Sequence, residues 1–431
     1  MLQSDSRKIK KGDTFIALKG YSDDGHKYIK DAIKNGAIKI ICEKGNYDVD
    51  TIIVNNTNEY LDKYLKNNKL DINIIGVTGT NGKTTTCYLI YQLLNKLGIN
   101  CAYIGTLGYI YNNINEELEN TTPGKLELYN LIKRSKEYGC RYIVMEVSSQ
   151  ALDQKRVDYL KFDYAIFTNL TREHLDYHKN MNNYIKSKQK LFYLLKDSGI
   201  AIINNDDKYS NYFKINNYKT YGFKNSDYVI NEYNYINGNK YDINLFCDYN
   251  KYNVLAAISL LYEMGYKYDD LYLLVRELHE PSGRMEIINY NSNKIVIDYA
   301  HTPDALENVL KGVKKYISGR IITIIGCGGN RDKGKRKIMG EIATNMSNYV
   351  IFTSDNPRYE NPNDILNDMT YSLDKNNYEI ESNREKAIKK GIQLLDNNDI
   401  LMLLGKGHEK YQIIDGVKYQ FDDKEIVLKN I

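Results

Sequence analysis

The chain has 431 residues, 59 of them Lys or Arg and 55 Asp or Glu, for a formal net charge of +4. Single cores stop growing near about 250 residues, so this length implies two or three domains, enough to bury substantial apolar surface and hold a cleft. The interspersed charges announce no nucleic-acid or membrane surface, and six scattered cysteines without a C-x-x-C pair argue against both a disulfide framework and a zinc site. No apolar run reaches the roughly 18 residues of a membrane span and MLQSDSRKIKKGDTF carries no apolar leader, so the expectation is a cytoplasmic monomer acting on small, including acidic, substrates.

Three domains are expected, over residues 1–70, 71–282 and 283–431. The first reads as a small α/β unit. The second opens on INIIGV (72–77) and continues through YIVMEV (142–147), YAIFTN (164–169) and AIINN (201–205), after which the polar stretch 225–242 is expected to hold a hairpin or irregular loops. A break at Pro281, Ser282 and Gly283 leads to the third, with KIVIDY (294–299), IITIIG (321–326), YVIFTS (349–354) and ILMLLG (400–405). Short β-rich runs alternating with helical patterns predict parallel α/β architecture, and a run as apolar as IITIIG suits a strand covered on both faces. Just after these runs stand TGTNGKTT, SSQ, LTREH, DD, AHTPD, CGGNRDKGKR, DNPR and KGHEK. Ligands of open α/β sheets bind beyond the carboxyl ends of the strands, so these segments are the candidates for function.

INIIGVTGTNGKTTT reads as strand, glycine-rich loop and helix, the context of a phosphate-binding loop. Backbone N–H groups of Gly79, Thr80, Asn81 and Gly82 would cradle phosphate oxygens, Lys83 would reach the terminal phosphates, and the Thr84 hydroxyl, next to Thr85, would ligate Mg2+. A strict Walker motif would have glycine where Val77 stands; the glycines fall at 76, 79 and 82. Glu146, at the tip of YIVMEV, is a carboxylate placed to hold Mg2+ directly or through water. In YIKSKQKLFYLL, Tyr184 and Ile185 precede Lys188 by four and three residues while Leu191 and Phe192 follow by three and four, so Lys188 projects from the apolar stripe of a helix. Two readings stand: a desolvated, reactive amine, or a stem lying along the core with its head in water.

The loop spacing resembles the G-x-x-G-T-N-G-K-T-T signature of the Mur ligases and folylpolyglutamate synthetases, and later motifs extend the resemblance over nearly the whole chain. It implies a three-domain α/β fold with a central P-loop ATPase domain and a Rossmann-like carboxyl-terminal domain. NLTREHLDYH resembles N-L-x-x-D-H-L-D, with Glu173 for the usual Asp, and the resemblance implies two Mg2+ sites, with His174 a ligand of the second and Thr84 and Glu146 as further ligands. Lys188 matches the lysine that Mur ligases carbamylate into an anionic metal ligand. NKYNVLAA, GRME and DYAHTPDALE resemble the family's nucleotide elements and nominate Asn250, Asn253, Arg284, Asp298 and His301 for ATP; Cys247 stands where the family usually has glycine. DSRKIKKGDTFIALKG resembles the uridine-binding motif through Ser6 and Arg7, four residues from the first residue of the chain where relatives carry a longer segment, so uridine contacts are expected to differ in part. Thr121, Thr122, Ser148, Gln154 and Arg156 match contacts to the UDP-muramoyl dipeptide, with Gly124 for an acidic residue and Gln150 for a histidine.

The DNPR element, Asp355, Asn356, Pro357 and Arg358, marks diaminopimelate-adding members, in which Arg331, Gly405 and Glu409 complete the site: arginines for carboxylates, Glu409 for the distal ammonium. The resemblance thus implies ATP-dependent ligation of meso-diaminopimelate, or equally meso-lanthionine, to UDP-N-acetylmuramoyl-L-alanyl-D-glutamate through an acyl phosphate. The D-S-R motif weighs against a folate enzyme, and DNPR with GKGHEK against both that enzyme and the alanyl-alanine-adding Mur ligase. A P-loop ATPase or switch would leave Lys188, His174 and Glu146 without shared purpose, and an inactive scaffold would not need Lys83 and Thr84.

Overall fold

The computed structural model describes residues 1–20, 23–215 and 217–431. Each apolar run named above is a strand: Asn73–Thr78, Tyr142–Glu146, Phe162–Phe167, Leu195–Asn204, Asn293–Asp298, Ile321–Ile325, Tyr349–Phe352 and Ile400–Leu404. The chain forms two compact units, one of Met1–Thr78, Gly98–Ala165 and Ser187–Ile200, the other of Gly79–Leu97, Ile166–Lys186 and Ala201–Ile431.

In the first unit a four-stranded parallel sheet runs in chain order through Leu2–Gln3, Thr14–Ile16, Lys39–Cys42 and Asp50–Ile53. Side chains alternate between its faces, as a period of two requires. Phe15, Ile40 and Cys42 pack with Ile29 and Ala32, while Ile16 and Ile41 pack with Leu61, Leu65, Leu126 and Tyr129. A larger sheet of this unit has the strand order Asn73–Thr78, Tyr142–Glu146, Cys101–Gly105, Gly108–Tyr111 and Ile114–Glu116, and in the second unit Tyr218–Gly222 pairs in parallel with residues 201–204 and with Tyr228–Val229. The parallel register of Asn73–Thr78 with Tyr142–Glu146 puts Val77 opposite Glu146, so Glu146 comes to the carboxyl end of the strand that runs into the glycine-rich loop. The antiparallel meander from Cys101 to Glu116 was not anticipated by the sequence reading; residues 225–242 hold the expected hairpin, Tyr235–Ile236 against Asn239–Lys240.

In the second unit a six-stranded sheet has the order Glu286–Tyr290, Asn293–Asp298, Ile400–Leu404, Ile321–Ile325, Tyr349–Phe352 and Tyr378–Ile380. The first strand is antiparallel to its neighbour and the others are parallel. Alternate residues face two cores: Val296, Ile325, Phe352, Met402 and Leu404 on one side, Ile295, Ile297, Ile324, Ile351 and Leu403 on the other. Because the central strands are parallel, Asp298, Leu404, Ile325 and Phe352 end at one edge, and AHTPD, GKGHEK, CGGNRDKGKR and DNPR gather there. A hairpin, Tyr411–Ile414 against Val417–Gln420, follows GKGHEK.

Candidate active site

The phosphate loop is built by close packing. Gly79 adopts φ +154°, and a Cβ there would lie 1.9 Å from Thr168 Oγ1; Gly82, at φ +83°, would put one 2.6 Å from Asn253 Oδ1. Neither position tolerates a side chain, and a backbone bared in this way is of the kind that a ligand can approach closely. Thr80 N donates to Asn169 O (2.8 Å), and Thr80 Oγ1 accepts from Thr171 N (3.0 Å) and lies 3.2 Å from Tyr184 OH. Asn81 N donates to Asn169 Oδ1 (2.9 Å) and its side chain to Asp304 Oδ2 (2.8 Å). Lys83, the first residue of helix Lys83–Lys96, folds over the loop and donates to Gly79 O (2.9 Å) and Thr80 O (2.7 Å). The buried Thr84 accepts from Arg284 Nη2 at 3.3 Å, and Thr85 is buried beside it. Asn253 accepts from Thr86 Oγ1 (3.2 Å) and donates to Asn250 (2.9 Å), so both asparagines belong to this network.

Arg284 lies over the Tyr299 ring at 4.4 Å. Asp298 is buried; its carboxyl accepts from Met285 N and Ala300 N, both at 2.8 Å, and burial holds its pKa above the ordinary value. His301 Nδ1 donates to Tyr299 O (2.8 Å), and desolvation lowers its pKa to about 4 although 40% of its side chain is exposed. Glu173 stands between two imidazoles, 3.7 Å from His174 Nε2 and 3.9 Å from His301 Nε2. His174 itself has φ +54°, a left-handed conformation costing a non-glycine residue about 1–3 kcal/mol, of the kind that collects at functional sites. Cys247 also has a positive φ, +69°, at the position where the sequence pattern favours glycine, and its sulfur lies 2.7 Å from where a Cβ on Gly312 would be.

In the first unit Glu146 is fully buried. Tyr103 OH (2.6 Å) and Thr106 N (2.8 Å) donate to its Oε1, and Thr106 Oγ1 donates to Oε2 (3.1 Å). Around it lie residues expected to hold the peptide substrate. Thr121 Oγ1 is 3.2 Å from Thr106 Oγ1; Thr122 Oγ1 donates to Glu146 O (2.8 Å) and accepts from Ser148 N (3.0 Å). Arg156 donates to Thr122 O (2.7 Å) and through a forked pair to Gln154 Oε1 (2.9 and 2.6 Å), while Ser148 caps the next helix through Ala151 N. Ser6 is buried, and the exposed Arg7 pairs with Asp5 (2.7 Å) and Glu119 (3.0 Å). Lys188 is 1% exposed, among Tyr184, Ile185, Leu191 and Phe192, which are equally buried; Lys186 is exposed and Lys190 half-buried, as the stripe requires.

The DNPR turn is held against GKGHEK. Asn356 Nδ2 donates to Glu409 Oε2 (2.7 Å), Asn356 Oδ1 accepts from Ile413 N (3.0 Å), and Gln412 donates to Asp355 O (2.6 Å). Gly405 approaches so closely that a Cβ would sit 2.7 Å from Asp355 Oδ2. Pro357 O accepts from Glu360 N, turning the chain so that Arg358, at φ +55°, donates through Nη1 to Gly329 O (2.8 Å). Arg331 is exposed, and a Cβ on Gly328 would touch both arginines. Burial and the neighbouring Arg331 charge lower the Arg358 pKa; burial and Asp355 raise that of Glu409.

Three family models match in sequence: the Mur ligase family catalytic domain over residues 1–75, the Mur ligase middle domain over 77–261 and the Mur ligase glutamate ligase domain over 283–407. The UDP-N-acetylmuramoyl-L-alanyl-D-glutamate--2,6-diaminopimelate ligase of Fusobacterium nucleatum is 41% identical over 457 residues, covering 100% of this chain and 93% of that protein. The chain belongs to the Mur ligase family. The Aquifex aeolicus protein of the same description is 39% identical, covering 98% of this chain and 91% of its own. A solved UDP-N-acetylmuramoyl-L-alanyl-D-glutamate--2,6-diaminopimelate ligase superposes with a TM-score of 0.64 at 32% identity, over 100% of this chain and 94% of that one. MurF ligase from Thermotoga maritima in complex with ADP superposes with a TM-score of 0.73 at 18% identity, over 99% and 96%, a likeness of fold.

This Mur ligase has residues bonded to the candidate site that sequence reasoning did not nominate. Tyr103 and Thr106 orient Glu146 from a strand pair that carries no motif, whereas Asp304, which holds Asn81, and Lys406, which bonds Glu409 and Asn356 at 3.4 Å each, lie inside AHTPDALE and GKGHEK. Among the described residues no three His, Cys, Asp or Glu side chains form a ready-made metal cluster. The Thr84 hydroxyl and the His174 imidazole in the second unit, and the Glu146 carboxylate in the first, are each of a donor type that suits Mg2+. No described helix is long and apolar enough to cross a membrane.

Proposed function

We propose that this Mur ligase joins 2,6-diaminopimelate to the D-glutamate carboxylate of UDP-N-acetylmuramoyl-L-alanyl-D-glutamate, with ATP converted to ADP and phosphate, as a step of peptidoglycan precursor synthesis. The observation that carries the reading is the acceptor cluster. Arg358, a planar fork suited to a carboxylate, and Glu409, suited to an ammonium, are set on one DNPR–GKGHEK assembly. A diamino diacid offers both groups at its distal end; lysine offers only the ammonium.

The substrate carboxylate attacks the γ-phosphorus of ATP, ADP leaves, and an acyl phosphate remains. The neutral amine of the incoming amino acid then attacks the acyl carbon and phosphate departs. Positioning and charge compensation supply most of the rate. Lys83 and the loop amides of Gly79, Gly82, Thr84 and Thr85 hold the phosphates, the amides of Thr80 and Asn81 being spent on Asn169 so that these two residues shape the loop, with Asn253, Arg284, Asp298 and His301 for the nucleoside. Ser6, Arg7, Thr121, Thr122, Ser148, Gln154 and Arg156 hold the UDP-muramoyl dipeptide. Thr84, Glu146, His174 and the carbamylated form of Lys188 are the ligands we assign to two Mg2+ ions, which would neutralise phosphate charge. Lys188 is buried on the apolar stripe of its helix, at the position that matches the lysine carbamylated in the family. All these motifs lie on one chain, so the reading needs no second copy, and it places the enzyme in the cytoplasm with its nucleotide substrates.

The test measures ATP-dependent phosphate release and product formation with each substrate omitted in turn, and kcat/KM for diaminopimelate and lysine. Release should need both acceptor and donor, and lysine should be disfavoured on the order of a thousandfold, since it leaves the Arg358 fork unpaired. Arg358→Ala should cut that discrimination to about tenfold, and meso-lanthionine should serve nearly as well as diaminopimelate. A wild-type preference for lysine, or an unchanged preference in the variant, sinks the assignment.

A further inference from the structure

Lys406 lies in the second unit with no exposed surface, a lysine to which the ligation mechanism gives no task. An ammonium in such a place must have its donors met, because an unpaired buried charge is costly. Lys406 Nζ donates to Tyr411 O (2.5 Å), Asn356 Oδ1 (3.4 Å) and Glu409 Oε2 (3.4 Å), so its three protons are all directed at protein oxygens. The rings of Tyr411 and Phe421 lie under it at 5.8 and 5.9 Å, within cation–π range. With no accessible surface and no donor to spare, it does not touch a substrate.

Its partners are the residues that would. Asn356 Oδ1 also accepts from Ile413 N (3.0 Å), and Asn356 Nδ2 donates to Glu409 Oε2 (2.7 Å). The amide therefore has one orientation, with oxygen toward the ammonium and nitrogen toward the carboxylate. Glu409 Oε2 takes both bonds, and Oε1 carries none among the described residues. We propose that Lys406 is a positioning residue for the incoming diamino acid, a buried cation that locks Asn356 and Glu409 in one arrangement and keeps the second Glu409 oxygen an anionic acceptor for the distal ammonium. This rests on the assignment of Glu409 as an acceptor-site contact.

The charges around Glu409 give the proposal a signature. Asp355 opposes its ionisation and Lys406 supports it; Tyr299, Arg358 and Arg384 are the other titratable groups that feel its charge. Burial already raises the Glu409 pKa, and loss of Lys406 raises it further, so the carboxylate takes a proton at higher pH. Lys406→Met should raise KM for diaminopimelate at least tenfold, with KM for ATP and for the UDP-dipeptide unchanged. The acid limb of kcat/KM for the diamino acid should move to higher pH, by about one unit or more.

Lys406→Arg keeps the cation: it should raise KM for the diamino acid by a smaller factor and leave the acid limb in place. That variant decides the matter should Lys406→Met not fold. In a Glu409→Gln background, Lys406→Met should add little to KM and move no limb. Unchanged KM for the diamino acid in both Lys406 variants, an equal rise in all three KM values, or the same pH shift in the Glu409→Gln background would overturn the proposal. A Glu409→Gln enzyme with wild-type KM would instead refute the assignment of Glu409.

Discussion

Lys188 is 1% exposed, and its helix supplies apolar neighbours at three and four residues on either side. If it acts as a carbamate, Lys188→Ala should be nearly inactive, with about a hundredfold or greater loss in kcat, and added formate or acetate should restore part of the rate by replacing the lost carboxylate. A Lys188→Ala enzyme with full activity would leave the residue a structural role only. Single residues were legible in the sequence where spacing exposed them: Lys188 through its stripe, Lys83 and Thr84 through the glycines before them. Tyr103 was not legible, because it reaches Glu146 across paired strands from 43 residues away and no local pattern ties the two together.

The carboxyl-terminal helix Asp423–Asn430 is fastened to helix Arg384–Gln393 by a pair with almost no exposure: Arg384 donates to Asp423 through Nε (2.8 Å) and Nη2 (2.6 Å), with side chains 0% and 1% exposed. Breaking a buried pair strands a charge, so Asp423→Ala should lower unfolding free energy by about 3–5 kcal/mol in urea denaturation. Arg384→Met with Asp423→Leu should recover most of that loss, since apolar replacement of both partners is often neutral. A loss below about 1 kcal/mol in Asp423→Ala would show that the pair is not what fastens the helix. Among elements, the strands buried on both faces were legible from their apolar runs. The hairpin after GKGHEK was not: all four residues of Val417–Gln420 are exposed, so no apolar alternation marks it, yet its partner strand supplies the Ile413 amide that fixes Asn356.

For the molecule as a whole, the histidines at the motif edge set an acid limit. Desolvation lowers the pKa of His301 to about 4 and that of His408 to about 3, against about 6.5 in an unfolded chain. Below pH 6.5 the unfolded state binds protons the folded state refuses, so the stability these groups contribute is full above 6.5 and falls as pH drops toward the folded values. Asp298 and Glu409, raised by burial, act with the opposite sign lower in the range, so the window just below pH 6.5 is the clean one. Urea midpoints should fall from pH 7 to pH 5.5, and His301→Gln with His408→Gln should flatten that slope; an equal slope in the double variant would assign the effect elsewhere. The family and the three-domain plan were legible from motifs strung along the chain. What brings the motifs to one edge is the parallel order of Asn293–Asp298, Ile400–Leu404, Ile321–Ile325 and Tyr349–Phe352, a long-range pairing that no short window of sequence contains.

The left-handed Cys247 and its contact with Gly312 make two distant positions interdependent. Gly312 lies inside helix Pro303–Lys314, where alanine would ordinarily add about 1 kcal/mol, but the Cys247 sulfur occupies the space a methyl group needs. Gly312→Ala should therefore destabilise this chain, and the same change should stabilise it once Cys247→Gly has opened the space and relieved the positive φ. The two substitutions form a ratchet: this lineage can acquire the better helix residue only after giving up its cysteine, and taken in the other order the path crosses a less stable intermediate.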